Sequence, residues 1–413
     1  MVRHHATRHH DTEVAIVGGG MVGLALAIAL AEHGFEVTVI DAKPAPARRD
    51  PAFDGRASAI AAATARMLDR LGLWQAGLRH ALAPVAEPIL EIRVSDGDAP
   101  LHLHYDHAEV GAGPLGYMIE NRDIIAALHE RAAALPITLI APATVTGFEA
   151  RPGATRLAFK SRSCAAPLVV GADGRESPLR ALAGIGASSR PYGQTGIVCT
   201  VRHERPHRGI AHERFLPAGP FAILPLKGDR SSLVWTERSE LAPTLVALPD
   251  DDFLDELAWR FGDFLGRLAL EGPRWSYPLA LVRAERIVGP RLALVGDAAH
   301  AIHPIAGQGF NLGLRDVATL AHVLADGRAV GLDPGDAAML GRYARWRGTD
   351  AFVLATVTDG LNRLFSNDLA PVRLVRDLGL AAVDRLPPLK RLFMRHAMGT
   401  LGRLPRLLDA PGA

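Results

Sequence analysis

The apolar pattern of the first forty residues changes period twice. Glu13 to Val17 holds a short apolar run, and three glycines, Gly18 to Gly20, follow it. Met21 to Glu32 is then apolar over about three helical turns and ends near Gly34, and Glu36 to Ile40 is a second short run. Strand, turn, helix and strand in that order predict the start of a parallel sheet, because parallel neighbours need a crossover and a helix usually supplies it. Ser58 to Leu71, with Ala, Met and Leu on one face, and Arg122 to Ala134 both read as helices. Leu168 to Val170 reads as another short strand, closed by Gly171-Ala172-Asp173-Gly174.

From Tyr192 to Trp235 the pattern alternates. Gly196 to Val201, Ala222 to Leu226 and Ser232 to Trp235 are short runs separated by Pro and Gly, as in antiparallel sheet. Asp251 to Leu265 reads as a helix and Arg274 to Val282 as a strand. Parallel texture returns with Arg291 to Val295, which runs into Gly296-Asp297; Gly309 to Ala325 reads as a helix, and the chain from Asp336 as helical and basic. The expected class is therefore α/β: a Rossmann-like nucleotide-binding domain (12–85, 116–187 and 286–335) interrupted by a mostly antiparallel sheet domain (86–115 and 188–285), with a helical C-terminal region (336–413).

At 413 residues the chain exceeds one ordinary core, consistent with that division. Lys plus Arg number 46 against 44 acids, a balance that gives no reason to expect nucleic-acid binding. The two cysteines, Cys164 and Cys199, make neither a disulfide framework nor a zinc site and fit a reducing cytoplasm. The opening His-rich residues read as a disordered tail. The uncharged run Val14 to Ala31 raises the question of a signal peptide or a membrane span. Gly18 to Gly20 would break a spanning helix, and Asp11 and Glu13 stand where a signal peptide carries basic residues.

Three motifs carry chemistry. Gly18-Gly19-Gly20-Met21-Val22-Gly23 is a G-x-G-x-x-G between a strand and a helix. Gly18 permits the tight turn, Gly20 the approach of a pyrophosphate and Gly23 close packing, and the helix N-terminus offers N–H groups to phosphate. Asp41 ends the next strand, where an acid accepts hydrogen bonds from a ribose diol. This motif alone does not separate FAD from NAD. In the second, Asp173 sits between glycines ahead of a helix, where an Asx turn capping that helix is the competing reading. In the third, Gly296-Asp297-Ala298-Ala299-His300 leads through His303-Pro304-Ile305-Ala306-Gly307-Gln308-Gly309-Phe310-Asn311 into a helix. Its acid suits ribityl hydroxyls, and its glycine-rich helix start suits an anionic flavin edge. His102, His104 and His107 have a spacing reminiscent of a metal site, but alternation along a strand accounts for it better, and no metal is expected.

Together the motifs resemble the flavoprotein monooxygenases of the para-hydroxybenzoate hydroxylase type. Tyr192-Gly193-Gln194, Val201-Arg202-His203-Glu204, Phe215-Leu216-Pro217-Ala218-Gly219-Pro220, Leu224-Pro225-Leu226, Thr358-Asp359-Gly360-Leu361 and Leu364-Phe365-Ser366-Asn367 narrow the resemblance to the ubiquinone-biosynthesis hydroxylases, over Glu13 to Gly399. One departure is Asp41, where many relatives have Glu; the shorter acid still reaches a ribose.

The resemblance implies an FAD site formed by Gly18, Gly20, Gly23, Asp41, Arg56, Arg122, Asp173, Gly296, Asp297, Pro304, Gly307, Gln308, Gly309 and Asn311. It implies NADPH or NADH as transient electron donor, O2, and a polyprenylated phenol hydroxylated through a flavin C4a-hydroperoxide. His203 and Gln194 are the candidates for facing the substrate, each with a structural role as the alternative. Other readings of the same fold are a flavin reductase and a non-catalytic FAD-stabilised subunit working with other ubiquinone-biosynthesis proteins. Arg385, Lys390, Arg391, Arg395, Arg403 and Arg406, interleaved with Leu389, Leu392, Phe393, Met394, Ala397, Met398, Thr400, Leu401 and Leu404, form a basic amphipathic segment. Such a segment suits reversible attachment of a cytoplasmic protein to the inner membrane face.

Overall fold

The computed structural model describes residues 8–44, 56–75, 77–97, 102–111, 113–160, 162–302, 308–348 and 383–410. Its centre is a six-stranded sheet in the order Val288–Gly289, Leu292–Leu294, Leu168–Gly171, Val14–Val17, Val37–Ile40 and Ile137–Ile140. All neighbours run parallel except the first pair. The inner strands are buried on both faces, which is why they read as unbroken apolar runs. Helix Met21–Glu32 is buried from Gly23 to Ala31, so it shows no polar stripe. It packs against helices Asn121–Ala133 and Gln308–Ala329 on one side of the sheet.

The second large layer is an eight-stranded sheet. Its order is His300–Ala301, Leu268–Ala284, Ala187–His203, Arg230–Arg238, Gly219–Leu226, Ile210–Leu216, Glu91–Asp96 and His102–Asp106. It is antiparallel apart from Ile210–Leu216 against Glu91–Asp96. Strand alternation gives it two unlike faces. Ile197, Cys199, Val201, Phe221, Ile223, Leu233 and Trp235 point outward into a core with Phe253, Leu257 and Phe261 of helix Asp250–Phe261. The alternate positions point inward. A three-stranded sheet of Ala57–Ala61, Gly116–Glu120 and Glu87–Ile89 joins the two layers, with Ile89 and Met118 packed on Ala211 and Leu226.

Four expectations change. Ser58 to Ala61 is strand rather than the first turn of a helix, because it pairs with Gly116–Glu120; the helix is Ala62–Arg70. Arg8–Asp11, assigned above to a disordered tail, lies as a strand parallel to Arg162–Ala166. The helix expected over Asp251 to Leu265 is Asp250–Phe261, closed by Gly262 at φ +87°. In helix Pro387–Ala397, Lys390 is no free cation: its Nζ lies 2.7 Å from Glu109 Oε1 and 3.1 Å from Asp384 Oδ1. Met394 and Met398 of the same segment are core, against Leu115. Thr358 to Leu361 and Leu364 to Asn367 lie outside the described residues.

A buried carboxylate fastens the third glycine motif to the helices behind it. Asp316 is fully buried within helix Gln308–Ala329. Its Oδ1 lies 2.6 Å from Arg347 Nε, and its Oδ2 accepts from Gly296 N at 2.9 Å. His300 Nε2 lies 2.8 Å from the same Oδ2, near enough for charge contact although off the hydrogen-bond direction. Burial alone would raise the pKa of Asp316, but His300 and Arg347 outweigh it and hold the group below the usual carboxylate range. Asp316→Asn removes the fully buried charge that faces Arg347 at 2.6 Å and accepts from Gly296 N, and we expect a loss of about 3–5 kcal/mol in denaturant unfolding at neutral pH. Because the folded pKa is depressed, the contribution of the carboxylate is complete above the unfolded value of about 3.9 and is lost as pH falls through the folded one. The gap between wild type and variant should therefore narrow in acid.

Candidate active site

The three glycine motifs end three adjacent parallel strands, Val14–Val17, Leu168–Gly171 and Leu292–Leu294, at their carboxyl ends. Ligands bind open α/β sheets in the crevice outside that edge. A cavity of about 620 Å³ opens there and extends to the inner face of the eight-stranded sheet. At one end it is lined by Gly20, Met21, Val22 and Lys43. Its middle holds Arg56, Arg122, Arg175, Asp297 and Gly309, and its far wall is Gly196, Val198, Glu213, Ala222, Leu224 and Val234.

The glycine loop has no room for side chains. Gly18 has φ +109°, and a Cβ there would stand 2.3 Å from the Ala172 carbonyl oxygen. A Cβ on Gly23 would stand 1.9 Å from the Gly18 carbonyl oxygen. The helix starting at Met21 has no side-chain cap, and Gly20 at its N-cap lines the cavity. Asp41 is buried, with its carboxylate directly over Gly19. This is a cradle for a dinucleotide phosphate with an acid beside it, so the residues present fit an adenine dinucleotide in outline.

Asp297 lies on the cavity floor, where its carboxylate meets cavity solvent while protein surrounds it. That enclosure raises its pKa against the pull of His300, Arg56 and Arg175. Gly296, at φ +60°, turns the chain so that its N–H bonds Asp316 while Asp297 faces the cavity. Arg56 stands over the Tyr277 ring at 4.7 Å, and Arg122 pairs with Glu120 at 2.8 Å beside the cavity. Gly309 lines the cavity at the start of its helix. Pro304 and Gly307 lie outside the described residues, as does the side chain of Gln308.

Two expected cofactor residues hold the protein together. Asp173 accepts from Ser177 Oγ and, at 2.8 Å, from Leu179 N, so both carboxylate oxygens cap the helix Pro178–Leu182. Its neighbours Ala172, Gly174 and Arg175 line the cavity instead. Asn311 accepts from Ala61 N at 2.9 Å and donates to Ala59 O at 2.7 Å, tying its helix to strand Ala57–Ala61.

His203 and Gln194, the candidates for facing the substrate, are not in the cavity wall. His203 is buried at the end of its strand, with Nδ1 2.8 Å from Arg205 O and Nε2 3.1 Å from Ser231 Oγ. Gln194 Nε2 donates to Ala218 O at 2.7 Å. Each fixes a turn of the sheet. Sequence reasoning missed two other residues. Arg180 donates to Ala298 O at 2.8 Å and to Arg175 O at 3.1 Å, joining the second and third motifs. Glu213 lies in the cavity wall; its signal was an acid in register with Ala211 and Phe215 on the buried side of one strand.

The FAD binding domain family matches residues 11–347. The chain is 55% identical over 391 residues to ubiquinone hydroxylase UbiL of Rhodospirillum rubrum, covering 94% of this chain and 90% of that one. It is 39% identical to the 3-demethoxyubiquinol 3-hydroxylase of Escherichia coli, over 95% of this chain and 99% of that one. Among solved structures, p-nitrophenol 4-monooxygenase from Pseudomonas putida superposes with a TM-score of 0.78 at 19% identity, over 96% of this chain and all of that one. The Diels-Alderase PyrE3 superposes at 0.74 with 22% identity, over 95% of this chain and 82% of that one. One fold thus carries unlike reactions, and the sequence relatives rather than the fold decide the family. On that ground the chain belongs to the FAD-dependent aromatic hydroxylases of ubiquinone biosynthesis.

Proposed function

We propose that the chain hydroxylates the ring of a polyprenylated phenol, with FAD lying along the cavity from the glycine loop to Asp297 and the ring against the inner face of the eight-stranded sheet. The observation that carries this reading is one cavity with unlike ends, a glycine and arginine cradle joined to an apolar wall of Val198, Ala222, Leu224 and Val234. Bound FAD, reduced by NADPH or NADH, supplies O2 activation and delivery of one oxygen atom to an electron-rich ring.

The residues of the chain bind, orient and exclude water. Gly20 and the first turn of helix Met21–Glu32 take the pyrophosphate, on a loop that Gly18 and Gly23 let pack closely, and Asp41 takes the ribose. Asp297 accepts from ribityl hydroxyls. Gly309 offers the N-terminal end of its helix to the flavin edge, and Arg56 and Arg122 supply positive charge beside it. Arg175, held to Pro278 O at 3.0 Å, joins the second motif to the sheet domain across the cavity rim. The apolar wall keeps water from the reacting centre.

A prenylated substrate resides in a bilayer, and the C-terminal helix offers a surface for reaching it. Among the described residues no helix is long and apolar enough to cross a membrane. Leu392 and Phe393 are 50% and 41% exposed, Leu386 is exposed beside them, and Arg385, Arg391 and Arg395 are exposed around them. Apolar side chains that insert and cations that meet anionic headgroups are the two contributions to interfacial binding. Trp346 and Asp326 engage Arg403 and Arg406, and among the described residues Arg385, Arg391 and Arg395 are the exposed cations beside Leu392 and Phe393.

Three outcomes test the proposal. Asp297→Ala should weaken FAD retention about 10- to 100-fold, the loss of one charge-assisted hydrogen bond, read by flavin titration; unchanged affinity removes Asp297 from the site. Turnover under 18O2 with a prenylated phenol should place one labelled atom on the ring, and label arising from water instead would rule out oxygen transfer from O2. Wild-type protein should float with vesicles containing anionic lipid at low salt, and Leu392→Glu with Phe393→Glu should stop it while flavin content is unchanged. Equal flotation of both proteins removes this helix from membrane contact.

A further inference from the structure

Strand pairing builds one wall of the cavity as a row. Val198 pairs with Val234, Val234 with Ala222, and Ala222 with Glu213. Cross-strand partners share a face, so four side chains from four strands stand side by side. Three are apolar and the fourth is a carboxyl. Glu213 is 8% exposed and lines the cavity with the other three. It has no hydrogen-bond or ion-pair partner among the described residues.

An acid left in such a wall is unfavourable as an anion and serviceable as a neutral donor. Burial alone pushes the Glu213 carboxyl up to about 8. The groups that face the same space do not contribute: Lys43, Arg56, Arg122, Arg175, Asp297 and Tyr277 line the rest of the cavity, and Asp96 lies on the same face of the adjoining strand. Strand Gly219–Leu226, its other neighbour, carries no charge. At neutral pH Glu213 therefore holds a proton that no protein group among those described accepts.

Resting on the aromatic-substrate reading above, we infer that Glu213 is the residue that recognises the ring oxygen of the substrate, donating its carboxyl proton in a hydrogen bond to the phenolic oxygen while Val198, Ala222 and Val234 contact the ring. The site thereby separates an oxygenated ring from a bare one. A wall of hydrocarbon alone does so weakly, whereas a buried donor left without an acceptor penalises the bare ring.

The test uses FAD-loaded full-length protein with two soluble probes, 2-allylanisole, whose ring oxygen accepts but cannot donate, and allylbenzene, and reads binding from the perturbed flavin absorbance. Wild type should prefer the anisole about tenfold at pH 7, the equivalent of one net hydrogen bond. The sign with pH follows from the raised pKa: the donor is present below about 8 and is lost above it, and a carboxylate has no proton to offer the ether oxygen, so the preference should shrink between pH 7 and 9. Glu213→Gln keeps a neutral donor and should retain the preference at both pH values. Glu213→Leu should bind both probes alike, with flavin content and thermal unfolding confirming that it is folded. If Glu213→Leu does not fold, the wild-type and Glu213→Gln pH series still decide. Equal binding of the two probes by wild type, or a preference with the same pH dependence in Glu213→Gln, overturns the role of Glu213 and leaves the aromatic reading intact. Failure of wild type to bind either probe overturns both.

Discussion

The geometry of the site depends on the burial of Asp316. A carboxylate with no access to water is stable only where charge and donors surround it, and here one group satisfies elements from three parts of the chain. Arg347 reaches it from the helix after Asp336, His300 from the strand leaving the third motif, and the N–H of Gly296 from the turn just before that strand. Tyr343, one turn before Arg347, donates to the carbonyl of Leu294 at 2.8 Å and fixes the strand that delivers the turn. Because Gly296 is held by its N–H in a positive-φ conformation, the next side chain, Asp297, is aimed at the cavity. One acid is committed to structure, and its neighbour in space faces the cavity.

The second constraint is topological. The glycine motifs are far apart in sequence, yet three neighbouring parallel strands end at one edge and bring them together. Buried links then fix the loops against one another: Ala172 against Gly18 with no room for a Cβ, and Arg180 between Arg175 and Ala298. The eight-stranded sheet supplies the opposite side of the cavity. Its outer face is committed to the core around Trp235 and Phe253, which leaves the inner face free to be shaped by what binds.

How much of this was legible depended on whether the signal was local. Helix Met21–Glu32, the strands flanking it and the glycine turn are encoded within thirty residues, and apolar period together with glycine placement is enough to read them. Ser58 to Ala61 misled because Ser, Ala, Ile and Ala continue a helical composition, and only the distant partner Gly116–Glu120 makes them strand. The parallel pairing of Glu91–Asp96 with Ile210–Leu216 likewise joins segments more than a hundred residues apart, and nothing within either segment specifies the other. Side-chain direction is hard to read locally for a related reason. His203 is a titratable group in a recognised run, and only the strand register points it at Ser231 and a turn carbonyl. Glu213 is in phase with Ala211 and Phe215 within its strand, but only its pairing with Ala222, and through it with Val234, places that face in the cavity.

The resulting cavity is graded in polarity along its length. Lysine, arginine and open backbone N–H groups gather at the edge of the parallel sheet, a surface suited to an anion, and hydrocarbon gathers at the antiparallel wall, a surface suited to a neutral ring. The gradient follows from how each sheet is made. Parallel strands buried on both faces can present polarity only from their ends, in loops and helix starts, whereas an antiparallel strand presents a whole alternating face. A cofactor with an anionic tail and a planar apolar head, set against an aromatic substrate, requires both kinds of surface in one space. Joining the two sheet types through the short strands Ala57–Ala61 and Gly116–Glu120 provides them without placing either the charge or the hydrocarbon in the wrong solvent.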